Sequence, residues 1–246
     1  MRLKDFKEMI NRTVFCASSG IISPRSARWK GGEVLLEKSG GKLAMAAVNN
    51  NCKLGFVSRD AEDDFPDFDR VVVPPEVLQK IAGRKRDTVP LSVSVSGNEV
   101  NFHIGSACVA ATALPGEFVK FPRAPEEFPR LFPQSFTVDR VSLLELLGIV
   151  SAAVKLWKPA VNIDLSPGKL ASFTGDDDFS AEAEIPCGYS GEETPLTFNA
   201  KFLTEIIGHI DTERVTIRFD VNNATVLVLP EPERGYFYFL AQRKRG

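Results

Sequence analysis

The order of predicted elements constrains this chain more than any single motif. A helix, several strands, a short helix and several more strands are followed by the same series again. Helical spacing predicts a first helix over residues 3–17, with Leu3, Phe6, Ile10, Val14 and Phe15 on one side. Residues 74–82 open with prolines, which suit a first helical turn, and Gly83 can close the segment. The longest candidate is 139–157, where Val141, Leu143, Leu144, Leu147, Ile149, Val150 and Val154 form a broad apolar stripe limited by Pro159. Residues 199–210 begin on Asn199 as N-cap and place Phe202, Leu203, Ile206, Ile207 and Ile210 on an inner face. Between the helices the pattern changes to period two or to β-branched runs, as at 33–37, 43–48, 71–73, 91–95, 161–165, 215–219 and 225–229. Turn chemistry such as Ser39-Gly40-Gly41 and Ser96-Gly97-Asn98 separates them. One helix with a small antiparallel sheet therefore occurs about four times, at a period of roughly 60 residues. This is an α+β chain.

Prolines 122, 125, 129 and 133 divide the chain near its middle. The stretch reads as an extended linker, which gives domains at 1–125 and 133–246 joined by 126–132. With 246 residues, 43% of them apolar and 25% charged, the chain can bury a full core. No apolar run reaches the length of a membrane span, and the opening residues lack the apolar stretch of a signal peptide, so a cytoplasmic location is expected.

Several function classes are disfavoured. Cys16, Cys52, Cys108 and Cys187 stand singly, with Cys108 among apolar strand neighbours, and read as reduced core thiols. His103 and His209 lie far apart without a thiol or carboxylate at ligand spacing, so no metal or other cofactor is expected. The acidic runs Asp176-Asp177-Asp178 and 60–69 read as solvated loops, since neither has a second carboxylate cluster as partner. Phosphate-loop, nucleophile-elbow and dinucleotide motifs are lacking, and no nucleophile can be paired with a base. Catalysis is not expected. Net charge is −2 and the pI about 5.8, so any nucleic-acid contact must come from a local concentration of Lys and Arg.

Five segments, in chain order, resemble the bacterial DNA polymerase III β-type sliding clamp. They are Val71-Val72-Val73-Pro74-Pro75-Glu76-Val77-Leu78, Leu114-Pro115-Gly116-Glu117-Phe118, Leu196-Thr197-Phe198-Asn199-Ala200-Lys201-Phe202-Leu203, Glu213-Arg214-Val215-Thr216-Ile217-Arg218-Phe219 and Tyr238-Phe239-Leu240-Ala241-Gln242-Arg243. The resemblance covers nearly the whole chain. Residues 1–125 are similar to the family's middle domain and 133–246 to its last, so a counterpart of its first domain is not expected here. The resemblance implies the DNA-clamp fold, two similar domains each with two helices packed on antiparallel sheets. It implies a DNA sliding clamp or clamp-like processivity factor that encircles duplex DNA without sequence specificity and tethers a polymerase.

In such a fold the helices line the hole, so their cations become the expected DNA contacts. These are Lys4, Lys7 and Arg12 on the first helix, Arg25 and Arg28 in the loop after it, and Lys80, Arg84, Lys85 and Arg86 on or beyond the second. Lys155 and Lys158 close the third helix, and Lys201 starts the fourth. The resemblance also implies a pocket between the domains for peptides of polymerases and clamp loaders. Its lining would be Lys53, Leu54, Val119, Phe121, Arg123, Leu240, Ala241, Gln242 and Arg243, with Leu54, Val119 and Leu240 as apolar floor.

Three departures stand out. The family's TDGHRL loop is replaced by Asn49-Asn50-Asn51-Cys52-Lys53-Leu54, its terminal Met-Pro-Met-Arg by Leu240-Ala241-Gln242-Arg243, and little precedes the first helix where the family has a strand. With two domains per chain a six-domain ring takes three copies, so a homo-oligomer is expected. The alternative is a clamp-fold adaptor that binds replication proteins without encircling DNA, which the acidic second half favours.

Overall fold

A computed structural model describes residues 1–17, 32–49, 52–61, 66, 68–85, 87–152, 160–175 and 180–245. Internal contacts separate two units, Met1–Lys120 and Phe121–Gly246.

The first unit opens with α1 (Leu3–Thr13), which tightens into a 3₁₀ turn at Val14–Cys16. Leu3, Phe6, Met9, Ile10 and Thr13 are buried. Met9 thus joins the predicted stripe, while Phe15, expected on it, is only half-buried. β1 (Glu33–Ser39), β2 (Lys42–Asn49), β3 (Lys53–Asp60) and β4 (Phe68–Val73) pair antiparallel in the order β4-β1-β2-β3. Gly40 and Gly41 join β1 to β2 at φ 57° and 73°, the left-handed values that a two-residue hairpin turn needs. The end of the acidic stretch 60–69 is not loop. Phe68 and Asp69 begin β4, and Phe68 is buried opposite Lys38 of β1. α2 (Pro75–Ala82) follows with a proline at its start and Gly83 as C-cap. β5 (Leu91–Ser96), β6 (Glu99–Ile104) and β7 (Ala107–Thr112) then form a three-stranded antiparallel sheet.

The second unit corrects the expected linker. Pro125–Glu127 is a 3₁₀ turn and α3 (Phe128–Leu131) a single helical turn, where the proline content had suggested extended chain. Pro125 and Pro129 sit in first turns, where a missing amide costs nothing. Phe128 and Phe132 are buried, and Phe128 meets Phe237 edge-on at 5.1 Å. Burying each such ring contributes about 2 kcal/mol, enough to fold the segment onto its unit.

β8 (Gln134–Asp139) leads directly into α4 (Arg140–Ser151). Then come β9 (Ala160–Ser166), β10 (Lys169–Gly175), β11 (Ser180–Pro186), β12 (Thr194–Asn199), α5 (Ala200–Gly208), β13 (Arg214–Phe219), β14 (Thr225–Glu231) and β15 (Tyr236–Ala241). The strands pair in the orders β12-β9-β10-β11 and β15-β14-β13-β8. The first order repeats β4-β1-β2-β3, and the second repeats β7-β6-β5 with β8 added. The twofold series seen in the sequence is therefore a repeat of topology.

On α4, Leu143, Leu146, Leu147 and Val150 are buried, but Val141 and Ile149 are 51% and 54% exposed. The predicted stripe is wider than the face its sheets cover. Its predicted end, with Val154 and Trp157, lies outside the described residues. The cysteines differ from expectation as well. Cys16 is buried, Cys187 is half-buried, and Cys52 and Cys108 are exposed. Cys108 lies on β7, an edge strand whose alternate residues face solvent, so apolar neighbours in sequence did not mean core. Burial pushes the Cys187 thiol above its ordinary pKa.

Candidate functional site

The sequence-predicted cations that fall on described residues are concentrated in the first unit. α1 packs beside α2 there. Lys4 and Lys80 are exposed on the two helices, and Lys85 is exposed just past α2. Arg12 and Arg84 are half-buried. Lys7 is engaged within the unit: its ammonium bonds the Arg84 carbonyl and pairs with Asp87 at 2.5 Å, tying α1 to the turn after α2. Arg25, Arg28, Arg86, Lys155 and Lys158 lie outside the described residues.

The acidic groups of α1 have a separate destination. Arg59, on β3, reaches Asp5 at 3.6 Å and Glu8 at 2.6 Å. Pairs this exposed contribute little stability, about 0.5 kcal/mol. Their electrostatic effect is larger in consequence, because the carboxylates of α1 are matched by a strand residue rather than by Lys4. α1 carries Lys4, Lys7 and Arg12 against Asp5 and Glu8, whereas α2 carries Lys80 against the exposed Glu76, so the positive excess of this unit's helices lies on α1.

α4 and α5 of the second unit show no such excess. α4 holds Arg140 against Glu145, and α5 holds Lys201 against Glu205, its ion-pair partner at 3.9 Å one helical turn on.

The proposed partner-binding residues are divided between the units. In the first, Lys53 opens β3 opposite Asn49, is 2% exposed, and places its ammonium 5.2 Å from the centre of the Phe15 ring. Leu54 is buried and Val119 half-buried. In the second, the Arg123 guanidinium stacks 4.7 Å from the centre of the Phe121 ring, which itself meets Phe239 edge-on. Leu240 has no exposed surface, so it supports its neighbours from beneath. The terminal strand is held in register beyond its end. Gln242 donates its backbone amide to Ala224 and its side-chain amide to the Asn223 carbonyl, and the Arg243 amide donates to Thr197. Ala241 is half-buried, and Arg243 is exposed.

Two further features escaped sequence reasoning. Arg245 grips Asp164 of β9 with its two terminal guanidinium nitrogens, Nη1 and Nη2, at 2.6 and 2.9 Å, and the carboxylate raises its pKa further. The only signal was a basic tail. Glu33, at the start of β1, is buried enough to raise its carboxyl pKa by desolvation. Among the described residues no cluster of His, Cys, Asp and Glu is arranged to hold a metal ion, and no helix is long and apolar enough to cross a membrane.

No family model matches the chain. Individual proteins do. The β sliding clamp of Treponema pallidum is 24% identical over 220 residues, which is 87% of this chain and 57% of that protein. The β sliding clamp of Pseudomonas aeruginosa is 25% identical over 231 residues, 90% of this chain and 59% of that protein. The chain thus spans less than two thirds of the length of these relatives. Among solved structures, the DNA polymerase sliding clamp of Pseudomonas aeruginosa superposes on the entire chain with a TM-score of 0.84 at 22% identity, using 66% of its own length. The DNA polymerase III β subunit of Thermotoga maritima does so with a TM-score of 0.83 at 18% identity. The architecture is the sliding-clamp fold, α+β, with helices on antiparallel sheets.

Proposed function

We propose that this chain is a DNA sliding clamp or clamp-like processivity factor, a protein without catalytic chemistry that encircles duplex DNA and tethers a polymerase or other replication proteins. The observation that carries the reading is its likeness to β sliding clamps along about nine tenths of its length. The exposed Lys4 and Lys80 on the neighbouring helices of the first unit, with Lys85 just past the second, support it. A clamp is held by topology, so its phosphate contacts can be few, weak and blind to sequence, which permits sliding. Its partners are double-stranded DNA and peptides of a DNA polymerase and a clamp loader, the latter taken by Lys53, Leu54, Val119, Phe121, Arg123 and the 240–243 segment. It works in the cytoplasm. Two clamp domains per chain make the encircling species a trimer.

A second reading is favoured by the balanced charge of the described helices α4 and α5, which offer phosphate no excess of cations. It is a clamp-fold adaptor that binds replication proteins without surrounding DNA. Light scattering over a range of protein concentrations separates the two. A species of three times the 27.0 kDa chain mass is expected. A strict monomer at high concentration contradicts self-assembled encirclement and leaves the adaptor.

A further inference from the structure

The chain leaving the last strand of each unit makes the same two hydrogen bonds. In the first unit the Ala113 amide donates to the Asn98 carbonyl and the Leu114 amide to that of Val72, each at 2.7 Å. In the second the Gln242 amide donates to the Ala224 carbonyl at 2.7 Å and the Arg243 amide to that of Thr197 at 2.8 Å. Leu114 thus corresponds to Arg243, and Val72 of β4 to Thr197 of β12. The residues that follow differ in kind: Pro115 and Gly116 in the first unit, Lys244 and Arg245 in the second.

The carboxylates beside these segments are matched by different routes. Val72 lies opposite Leu35 and Thr197 opposite Asn162, so Glu37 of β1 and Asp164 of β9 hold equivalent places two residues on. Glu37 takes its cation from inside the sheet, from Arg70 of β4 at 2.8 Å. The place of Arg70 on β12 belongs to Pro195, which lies opposite Asp164 and carries no charge. Asp164 takes its cation from Arg245 instead, through two bonds at 2.6 and 2.9 Å. An ion pair that joins two neighbouring strands in the first unit therefore fastens a loose segment in the second. Arg243 bonds β12, the last strand of its sheet, and Arg245 reaches β9 behind it.

We propose that Arg245 and Asp164 form a salt-sensitive latch that positions residues 240–243. Both side chains are about half exposed, at 43% and 48%, so dissolved ions screen the pair, while its two-pronged geometry fixes the direction of the segment. The backbone bonds of Gln242 and Arg243 are screened far less, which makes the latch the adjustable part of the attachment. Its use rests on the reading of 240–243 as part of the partner site. A partner that needs this segment in place binds more weakly by the fraction of chains whose latch is open. Arg245 and Asp164 are positioning residues in that site and touch no partner themselves.

Amide hydrogen exchange of the full chain, read residue by residue by NMR with no partner present, tests the latch independently of the partner site. Asp164→Asn is the informative variant, because it removes the charge and leaves the sequence around residues 242 and 243 untouched. It should lower the protection of the Arg243 amide by about threefold and leave that of Ile163 and Leu165 as it was. Asp164→Glu should restore it. In the unaltered chain, raising salt from about 0.05 to about 0.5 M should cause the same loss, and in Asp164→Asn it should add nothing. The Leu114 amide, which makes the equivalent bond without a latch, should respond to neither change. Unchanged protection of Arg243 in Asp164→Asn overturns the proposal, and so does a salt effect of equal size in both proteins. Should Ile163 also lose protection in the variant, the salt series on the unaltered chain decides: a loss confined to 242 and 243 supports the latch, and no loss overturns it.

Discussion

Asp139 illustrates how single residues set the elements of this protein. Its Oδ1 accepts from the Ser142 amide and from the Ser142 hydroxyl, each at 2.7 Å. The amide bond first, then the hydroxyl, holds the carboxyl below its ordinary pKa. A carboxylate with a depressed folded pKa stabilises the fold above its unfolded pKa and loses that contribution as pH falls through the folded value. Replacing Asp139 with alanine is expected to lower stability by about 1 kcal/mol near neutral pH. The deficit should shrink once the pH drops below the ordinary carboxylate range, as denaturant unfolding at neutral and acidic pH would show. Cap chemistry of this kind is local and therefore legible: Asn199, read as an N-cap from sequence, accepts the Phe202 amide at 3.2 Å. The grip of Arg245 on Asp164 and of Arg59 on Asp5 and Glu8 was not legible. Those pairs join residues far apart in the chain, and only the sheet registers bring them together.

At the scale of elements, helix existence followed from periodicity, and helix ends followed from proline and glycine, as α2 shows. Failures occurred where one residue type has two uses. Proline starts a helical turn as readily as it stiffens a linker, so α3 was missed. An apolar stripe on α4 did not reveal which part its sheets leave uncovered, hence the exposed Val141 and Ile149. The placement of charge carries a prediction at this scale. Lys80 and Lys85 are exposed, while Lys201 is paired with Glu205. Replacing Lys80 and Lys85 together with alanine should weaken duplex binding about equally for all sequences and reduce the slope of log affinity against log salt by roughly 2. Replacing Lys201 should change the slope little, since Glu205 already neutralises it. Fluorescence anisotropy over a salt series tests both. A larger loss at Lys201 would move the DNA contacts to the second unit.

For the whole molecule, the repeat of topology was legible as a repeated order of helices and strands, although the two halves share little sequence. What it could not convey was which strands pair across long stretches of chain, as β8 does with β13 and β9 with β12. A ring assembled from such chains would hold DNA by enclosure, and its modest positive surface would be sufficient, because enclosure does not depend on the strength of any contact. The decisive measurement is salt-resistant retention on linear duplex DNA with the ends blocked either before or after the protein is added. If the protein encircles DNA, it threads onto free ends, survives a wash at about 0.5 M salt only when the ends are blocked after loading, and is absent when they are blocked first. Loss in salt regardless of the order of blocking would contradict encirclement.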